Sequence, residues 1–284
     1  MTLIEAIVLG IVQGLTEFLP VSSSAHLIIV PWLLGWESPG LAFDAALHLG
    51  TLGAVIIYFW RDILAMIVSL PRALRHPGDV LRSRNPRDTM PRLALLIAIG
   101  TIPGAVIGYW GQDWIDEAYH QGGNVPDRII VAIAMALAGL ALFMLVGEKL
   151  ARHTRTLSDM RLPDGIAIGF SQAAALIPGV SRSGATITTG LFRDLTREDA
   201  ARFSFLLGIP IIAVAGLKGL YDTFSAGLPQ DQAVIFIVGI ITSLLAGLFA
   251  ISALLRYVQR STFRVFIVYR LVLAVVLVLL TLVK

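Results

Sequence analysis

The sequence predicts an all-α integral membrane protein that forms one domain over residues 1–284. Hydrophobic residues make up 56% of the chain and charged residues only 14%, whereas about a quarter of the residues in a soluble domain are charged. The chain has no cysteine, which excludes disulfides and thiolate metal sites. Its start, MTLIEAIVLG, has neither a basic region nor a cleavage site, so we predict no cleaved signal peptide.

Six apolar stretches are long enough, or nearly so, to cross a bilayer, which takes about 20 apolar residues in a helix. The first is short but ends on an aromatic pair just before Arg61. Arg270 and Lys218 are expected near helix ends, where long basic side chains can reach the membrane surface. The predicted spans are 45–60, 93–110, 129–147, 203–220, 233–255 and 265–283.

Charges in the connecting segments predict orientation, because cytoplasmic loops carry an excess of Lys and Arg. Segments 71–92, 148–164 and 256–264 are rich in arginine and are expected in the cytoplasm. We interpret this basic excess as a topology signal, so no nucleic-acid partner is expected. Segments 111–128 and 221–232 are acidic and are expected outside. Their acidic residues are Asp113, Asp116, Glu117 and Asp127 in the first and Asp222 and Asp231 in the second.

Two further apolar segments, 1–42 and 165–192, do not fit this alternation. The second must begin and end in the cytoplasm, because 148–164 and 193–202 both lie there. Both segments are interrupted by proline and glycine. Broken backbone at membrane depth is tolerated only where it is buried in protein or lines a wet cavity. The sequence therefore predicts two re-entrant helix pairs in addition to the six transmembrane helices.

These two segments also predict an internal repeat. GIVQGLTEFLPVSSSAHL (10–27) aligns without a gap to GFSQAAALIPGVSRSGAT (169–186). Repeat 1 would cover about 1–147 and repeat 2 about 165–284, each with a re-entrant pair and three spans. An odd number of crossings inverts the second repeat, and inverted repeats place their site where broken helices meet near mid-membrane. The identical pairs are Gly10 with Gly169, Gln13 with Gln172, Val21 with Val180, Ser22 with Ser181, and Ser24 with Ser183.

Arg182 is the strongest candidate site residue in the second segment, where it is the only charge between Asp164 and Arg193. An arginine in an apolar segment is costly, and its fork of donors suits phosphate or carboxylate. A helix that begins there would also direct its positive end at an anion. Hydroxyls and glycines surround the arginine: Ser181, Ser183 and Thr186, with Gly179 and Gly184.

The first segment brings a carboxylate, a histidine and three consecutive serines to the same predicted site. Ionisable groups inside membranes are functional by default, which favours a role for Glu17 and His26. Serines in membrane helices more often only bond a preceding turn or a neighbouring helix, and Arg182 could simply pair with Glu17. Serines on both sides of the arginine favour a pocket for a phosphoryl group instead. The serines of the first segment are Ser22, Ser23 and Ser24.

Gln13 and Glu17 are four residues apart and share one helix face. The carboxylate could hold a divalent cation such as magnesium, which prefers oxygen ligands and phosphate, or it could orient His26. His26 can transfer protons near neutral pH. Asp44 and His48, one turn apart, form a weaker candidate pair beside the site or at the edge of its cavity.

QGLTEFLPVSSSAH and PGVSRSGAT resemble the two signatures of the bacterial undecaprenyl-diphosphatases of the bacitracin-resistance type. FDAALHLGTL and FSFLLGIP extend the resemblance over nearly the whole chain. The resemblance implies removal of the terminal phosphate of undecaprenyl diphosphate, which recycles the monophosphate carrier for peptidoglycan synthesis and confers bacitracin resistance. It also implies two re-entrant pairs with six spans, a divalent cation (Mg²⁺ or Ca²⁺), and a site open toward the outer face of the cytoplasmic membrane. Homodimer formation is left open.

Matched by position, the resemblance assigns roles to individual residues. It implies that Glu17 is the essential glutamate and that Arg182 clamps phosphate. Ser23 would be the nucleophile with His26 as its base or acid, or else His26 itself is the nucleophile. Gln13 stands where some members have a second glutamate, and this weaker ligand leaves its metal role open. The implied phosphate-binding hydroxyls are Ser22, Ser24, Ser181, Ser183 and Thr186; Ser24–Ala25 departs from the family's frequent threonine–glycine.

A second function class fits the same predicted fold. Inverted repeats with broken helices are common in secondary transporters, so the chain could carry or flip a lipid phosphate. Serine, histidine and glutamate opposite an arginine favour an enzyme, because transport needs only the binding groups.

Overall fold

The chain is described by a computed structural model that covers residues 1–37, 40–119, 125–225 and 232–283, with the backbone alone over 112–119 and 222–224. Within these ranges the fold is helical, with short 3-10 turns and a single β-bridge between Arg155 and Leu195. The helices are α1 (Leu3–Phe18), α2 (Ser23–Leu34), α3 (Leu41–Tyr58), α4 (Trp60–Arg75), α5 (Pro77–Arg82), α6 (Thr89–Tyr119), α7 (Asp127–Leu150), α8 (Leu162–Ala173), α9 (Arg182–Phe192), α10 (Arg197–Ser225), α11 (Ala233–Val258) and α12 (Arg264–Val283).

Six of the described helices are long and apolar enough to cross a membrane, and each one overlaps a predicted span. This confirms the all-α integral membrane class and the six spans. The acidic segments 111–128 and 221–232 are described only in part, and their predicted outward orientation stays a prediction. The candidate spans are Leu41–Tyr58, Pro86–Gly111, Asp127–Leu150, Arg197–Tyr221, Ala233–Val258 and Arg264–Val283.

Two breaks in the helices fall where the sequence predicts re-entrant pairs. The first lies between α1 and α2, and the second between α8 and α9. The helices after the breaks have 12 and 11 residues, which is about 18 Å or less at 1.5 Å per residue and short of the roughly 30 Å hydrocarbon core. Neither helix can cross a bilayer by itself. Their depth in the membrane stays a prediction.

The residues that precede the helices after the breaks make the same capping hydrogen bond, with different backbone conformations. Ser22 caps α2 by accepting a hydrogen bond from the backbone N–H of Ala25, at 3.4 Å. Ser181 caps α9 in the same way by accepting from Gly184, at 3.0 Å. Ser22 does so with a φ of +79°, a strained conformation for a residue with a side chain. The two caps stand at matching positions of the predicted repeat.

The packing partners of the two halves are also exchanged. Helix α1 packs on α11 while α8 packs on α6, and α3 meets α10 as α7 meets α12. Glycine allows close approach in these pairs: a Cβ on Gly169 in α8 would lie 2.5 Å from the backbone of Gly100 in α6. Small residues serve this purpose between membrane helices. We propose, on this exchange and on the matched caps, that the two halves form an inverted repeat.

Two features of the fold differ from the prediction. Arg270 is not near a helix end at the membrane surface; its side chain lies 0% exposed in the middle of α12. Helix α4 was also missed, because its mixed apolar and basic sequence is too short in apolar length for a span. Its exposed apolar residues recur at helical spacing on one face: Trp60, Leu64, Ile67, Val68 and Leu74.

Candidate active site

The carboxylate of Glu17 is the centre of the candidate site, and its side chain is nearly buried between the two breaks. Its Oε2 accepts hydrogen bonds from Ser23 Oγ at 2.7 Å and from Gln13 Nε2 at 3.2 Å. Its Oε1 accepts from Arg182 Nη2 at 3.1 Å. His48 Nε2 lies 3.7 Å from Oε2. One carboxylate therefore joins groups from α1, α2, α3 and α9.

Local structure explains why these groups meet. Gln13 and Glu17 lie four residues apart on the last turns of α1, on one face as predicted. Ser23 is the first residue of α2 and Arg182 the first of α9, so both side chains stand at helix N-termini that meet the end of α1. Phe18, the last residue of α1, packs edge-on against Phe205 of α10 with ring centroids 5.2 Å apart. This contact fixes the end of α1 beside α10.

Arg182 forms an ion pair with Glu17. This pairing was the alternative to a phosphate-binding role for the arginine. Its Nη1 also donates to the carbonyl oxygen of Ser204 at 2.9 Å. Its Nε is buried and has no hydrogen-bond partner among the described residues. The arginine is thus held in place by two contacts while one donor is unused. A buried unpaired donor is costly unless a ligand satisfies it.

His26 is not the partner of Ser23 that the sequence-based mechanism requires. Its Nδ1 lies 2.7 Å from the carbonyl oxygen of Ser22, and since a carbonyl only accepts, Nδ1 carries the proton. Its Nε2 lies 2.6 Å from the hydroxyl of Tyr269, whose ring stacks on the imidazole at 5.8 Å. Both ring nitrogens are therefore occupied. Of the two alternatives for Glu17, the structure does not show the one in which it orients His26, because the described contacts of His26 are to Ser22 and Tyr269.

The remaining predicted hydroxyls make structural hydrogen bonds. Ser183 Oγ donates to the carbonyl oxygen of Leu19 at 3.1 Å and so joins α9 to the end of α1. Thr186 Oγ1 donates to the carbonyl oxygen of Arg182 at 2.7 Å and lies 2.7 Å from Ser204 Oγ. Ser22 and Ser24 are 3.3 Å apart, and Ser181 and Ser183 are 3.0 Å apart, between their Oγ atoms. These hydroxyls therefore bond a preceding turn or a neighbouring helix, as serines in membrane helices often do. The bonds do not indicate phosphate binding.

Arg270 holds the two breaks together, and sequence reasoning missed it. Its Nη1 donates to the carbonyl oxygen of Pro20 at 3.2 Å and its Nη2 to that of Gly179 at 2.8 Å. Its Nε donates to the carbonyl oxygen of Leu137 in α7 at 3.1 Å. Broken helices leave carbonyl groups without helical partners. The available signal was a single arginine within the apolar run VFIVYRLVLAVV, the same signal that identified Arg182.

The pair Asp44 and His48 does reach the site, through the histidine. His48 Nδ1 lies 2.7 Å from the backbone carbonyl of Asp44 rather than from its carboxylate, which turns Nε2 toward Glu17. The Oδ1 atom of Asp44 is buried and has no hydrogen-bond partner among the described residues.

The residues around Glu17 fit a divalent cation only in part. The Oε1 atom of Gln13 is buried without a hydrogen-bond partner among the described residues, so an oxygen ligand is available beside the Glu17 carboxylate. Across the residues the structure describes, no three His, Cys, Asp or Glu side chains form a metal-binding group. Magnesium commonly takes one or two protein ligands and completes its shell with water and substrate phosphate. Gln13 and Glu17 fit a cation bound in that way.

Comparisons with known proteins find relatives over nearly the whole chain. A family model for the bacitracin resistance protein BacA matches residues 6–276. The undecaprenyl-diphosphatase of Thermomicrobium roseum is 46% identical over 275 residues, which cover 97% of this chain and 96% of that protein. Those of Myxococcus xanthus and Moorella thermoacetica are 46% and 43% identical, and the matches cover 99% and 98% of this chain and 89% and 97% of theirs. The chain belongs to the BacA family of bacitracin resistance proteins.

Proposed function

We propose that this chain is an enzyme that hydrolyses undecaprenyl diphosphate to undecaprenyl phosphate and inorganic phosphate. The relatives that match nearly the whole chain are named undecaprenyl-diphosphatases. The observation that carries the proposal is a serine hydroxyl bonded to a buried carboxylate, beside an arginine with an unused donor. The reaction would recycle the lipid carrier for peptidoglycan synthesis, and bacitracin resistance follows from the family.

Arg182 is the group best placed to hold the terminal phosphate. Its Nε is unused, and the Nη2 now on Glu17 can exchange the carboxylate for a phosphate oxygen, because guanidinium binds both in a bidentate fork. The N-terminus of α9 adds its positive end at the same place. Ser22 and Ser24 flank Ser23 in the chain, as Ser181 and Ser183 flank Arg182, and we propose that Ser24 and Ser181 assist in holding the phosphate.

Ser23 is the proposed nucleophile and Glu17 its base. Oγ of Ser23 attacks the terminal phosphorus, the bond to the bridging oxygen breaks, and undecaprenyl phosphate leaves while Glu17 takes the hydroxyl proton. Water then attacks the phosphoserine, Glu17 returns the proton to Oγ, and inorganic phosphate departs with one proton released from the water. Most of the rate would come from positioning and charge stabilisation. His26 is the alternative nucleophile, but both its ring nitrogens are engaged.

A divalent cation, Mg²⁺ or Ca²⁺, would be held by Glu17 and Gln13 together with the substrate's own phosphate oxygens. When bound, such a cation would neutralise charge on the diphosphate. In support, Gln13 and Glu17 share one face of α1, and the amide oxygen of Gln13 has no hydrogen-bond partner among the described residues while its nitrogen donates to Glu17.

The chain is a multi-pass membrane protein, and we place it in the bacterial cytoplasmic membrane with the site open toward the outer face. Helix α9 supports this orientation. It begins at Arg182 in the site and leads to Arg193, which binds Asp164 near the arginine-rich segment 148–164. Eleven helical residues separate these ends by about 16 Å. Undecaprenyl diphosphate and the bilayer are the proposed partners, and homodimer formation is unassigned.

The test is phosphate release by the detergent-purified protein from undecaprenyl diphosphate, with and without a chelator. A detergent solution has no gradient and no second compartment, so a lipid-phosphate transporter would release nothing. Release that requires a divalent cation and disappears in Ser23→Ala protein would support the proposal. A folded, cation-supplied wild-type protein that releases no phosphate would favour the transporter.

A further inference from the structure

A polar cavity lies at the opposite end of α8 and α9 from Glu17. It has a volume of about 610 Å³ and is bordered by five arginines and two aspartates. Helix α9 connects the two places, since Arg182 at its start lies in the candidate active site and Arg193, just past its end, lines the cavity. The five arginines are Arg84, Arg92, Arg155, Arg161 and Arg193.

The two aspartates of the cavity are already saturated by protein donors. Asp164 accepts from Arg155, from Arg193 Nε at 2.6 Å and from the backbone N–H of Arg161 at 2.8 Å. Asp159 accepts from the backbone N–H and the hydroxyl of Thr156, at 2.8 and 2.9 Å. Five arginines against two aspartates leave the lining with a net charge of +3. A cavity with this excess favours an anion.

Unused donors remain around the cavity. Arg92 is only 2% exposed, and its two terminal nitrogens donate to the carbonyl oxygens of Ser83 and Ser158. Its Nε is buried and has no partner in the part of the chain that the structure describes. Arg84 and Arg161 are exposed and form no ion pair with a described residue. A topology signal requires positive charge in a loop, but it does not require a buried arginine with an unsatisfied donor.

The surroundings of the cavity suit the headgroup of a lipid. A second cavity of about 410 Å³ shares Arg84, Arg161 and Pro163 with the first and adds apolar lining from Leu81 and Leu162. The exposed apolar face of α4 precedes this region in the chain. Amphipathic helices of this kind lie in the membrane surface, and basic pockets at that level bind anionic headgroups.

We propose that this arginine cavity binds a phosphate group, separately from the candidate active site. Arg84 and Arg161 contact its oxygens from the mouth, and the buried guanidinium charge of Arg92 attracts it from the wall. The phosphate is either the headgroup of a membrane lipid, whose chains lie along Leu81 and Leu162 of the adjoining cavity, or free inorganic phosphate. Arginine donors recognise the same oxygens in both.

Two probes distinguish the sources: dioleoyl phosphatidic acid, counted by native mass spectrometry, and inorganic phosphate, titrated by calorimetry. Both are applied to the full chain carrying Arg182→Ala, which removes phosphate binding at the candidate active site. We compare Arg84→Gln/Arg161→Gln with Arg75→Gln/Arg87→Gln. The second pair removes the same charge from exposed arginines of the neighbouring segment that do not line the cavity.

We expect the cavity pair to weaken binding of at least one probe about tenfold or more, because each charged hydrogen bond contributes on the order of a factor of ten. The control pair should stay within about twofold. If only phosphatidic acid binds more weakly to the cavity pair, the ligand is a lipid headgroup. If binding of inorganic phosphate is weakened, the ligand is the free ion. Equal affinities in the two pairs, or no binding of either probe, would overturn the proposal. If Arg182→Ala fails to fold, the same pairs are compared in wild-type protein, where the cavity pair should bind one fewer probe molecule.

Discussion

Ser23 donates its hydroxyl hydrogen bond to Glu17, with 2.7 Å between Oγ and Oε2. The first residue of α2 is therefore joined to the last turn of α1 across the break between them. The same carboxylate binds Arg182 from the other break. The three groups that phosphoryl transfer needs, a nucleophile, a base and a cationic clamp, are thus in one hydrogen-bonded chain.

Replacing Ser23 by alanine should lower phosphate release from undecaprenyl diphosphate by about 10³-fold or more, since a covalent mechanism has no substitute for the missing oxygen. Ser24→Ala is the matched control, because Ser24 Oγ contacts Ser22 rather than Glu17, and it should lose less than about tenfold. Steady-state release by the folded, purified variants measures both. A Ser23→Ala protein that keeps its activity while His26→Ala loses it would assign the nucleophile to His26.

Arg182→Lys separates charge from geometry in the proposed clamp. Lysine keeps the positive charge near Glu17 but cannot bind bidentately, so we expect kcat/KM to fall by about 10²-fold, with most of the loss in kcat. Arg182→Ala should lose about tenfold more, because it also leaves the buried Glu17 unpaired. Rates over a range of substrate concentrations separate kcat from KM. A lysine variant with wild-type kcat would mean that Arg182 only balances the charge of Glu17.

Tyr269→Phe tests whether His26 acts on the substrate or supports the fold. Phenylalanine keeps the stacked ring but removes the hydroxyl that His26 Nε2 accepts from, which frees that nitrogen. If His26 is structural, phosphate release should fall less than about tenfold, the value of one hydrogen bond. The pH profile of kcat should keep its shape. A new limb near the ordinary pKa of histidine in the variant would indicate that His26 takes part in proton transfer.

Much of the fold could be predicted because a bilayer constrains the sequence so strongly. Span length and loop charge predicted the six membrane-spanning helices. The two segments that contain proline and glycine predicted the positions of both breaks. Gln13 and Glu17 could be placed together because i and i+4 positions share a helix face. Arg182 could be singled out because an unexplained charge in an apolar segment is costly.

The partners of these residues could not be predicted, because they come from distant helices. Tyr269 reaches His26 across 243 positions of the chain, and Arg270 reaches Pro20 across 250. Spacing along one helix gives no information about which face of another helix opposes it. Helix α4 could not be predicted for a different reason. Its basic residues are as typical of a loop as of an amphipathic helix, and only packing and contact with the membrane surface distinguish the two.

Arg270→Lys should destabilise the protein more than any surface arginine substitution. Lysine has three donors at one point, whereas Arg270 reaches three carbonyl groups on three separate segments. At least one buried carbonyl would lose its partner, at about 1–3 kcal/mol each, and the melting temperature should fall by several degrees at about 2–4 °C per kcal/mol. Arg260→Lys, in an exposed loop, is the control. The melting temperatures of Arg270→Lys and Arg260→Lys proteins are measured by thermal unfolding in the same detergent. Equal values for the two variants would contradict the role assigned to Arg270.

Asp164 should make stability depend on pH at the arginine-rich end of the molecule. Burial raises the pKa of its carboxyl, but hydrogen bonds from Arg155, Arg193 and the Arg161 backbone outweigh it and hold the pKa below the ordinary value of 3.8. A carboxyl with a lowered folded pKa contributes its full stabilisation above the unfolded pKa and loses it as the pH falls through the folded pKa. The contribution should therefore be constant at neutral pH, begin to decline near pH 4, and be lost as the pH falls through the lower folded pKa.

The measurement is the melting temperature of wild type and Asp164→Asn between pH 7 and pH 3. At pH 7 the variant should melt several degrees lower, because bonds to a charged carboxylate contribute about 1–3 kcal/mol and both arginines are partly exposed. The difference should shrink below pH 4 as wild-type Asp164 takes up its proton. Asp79→Asn, whose side chain is 89% exposed, should match wild type at neutral pH. A gap between wild type and Asp164→Asn that stays constant down to pH 3 would mean that the carboxylate's charge does not stabilise this end of the fold.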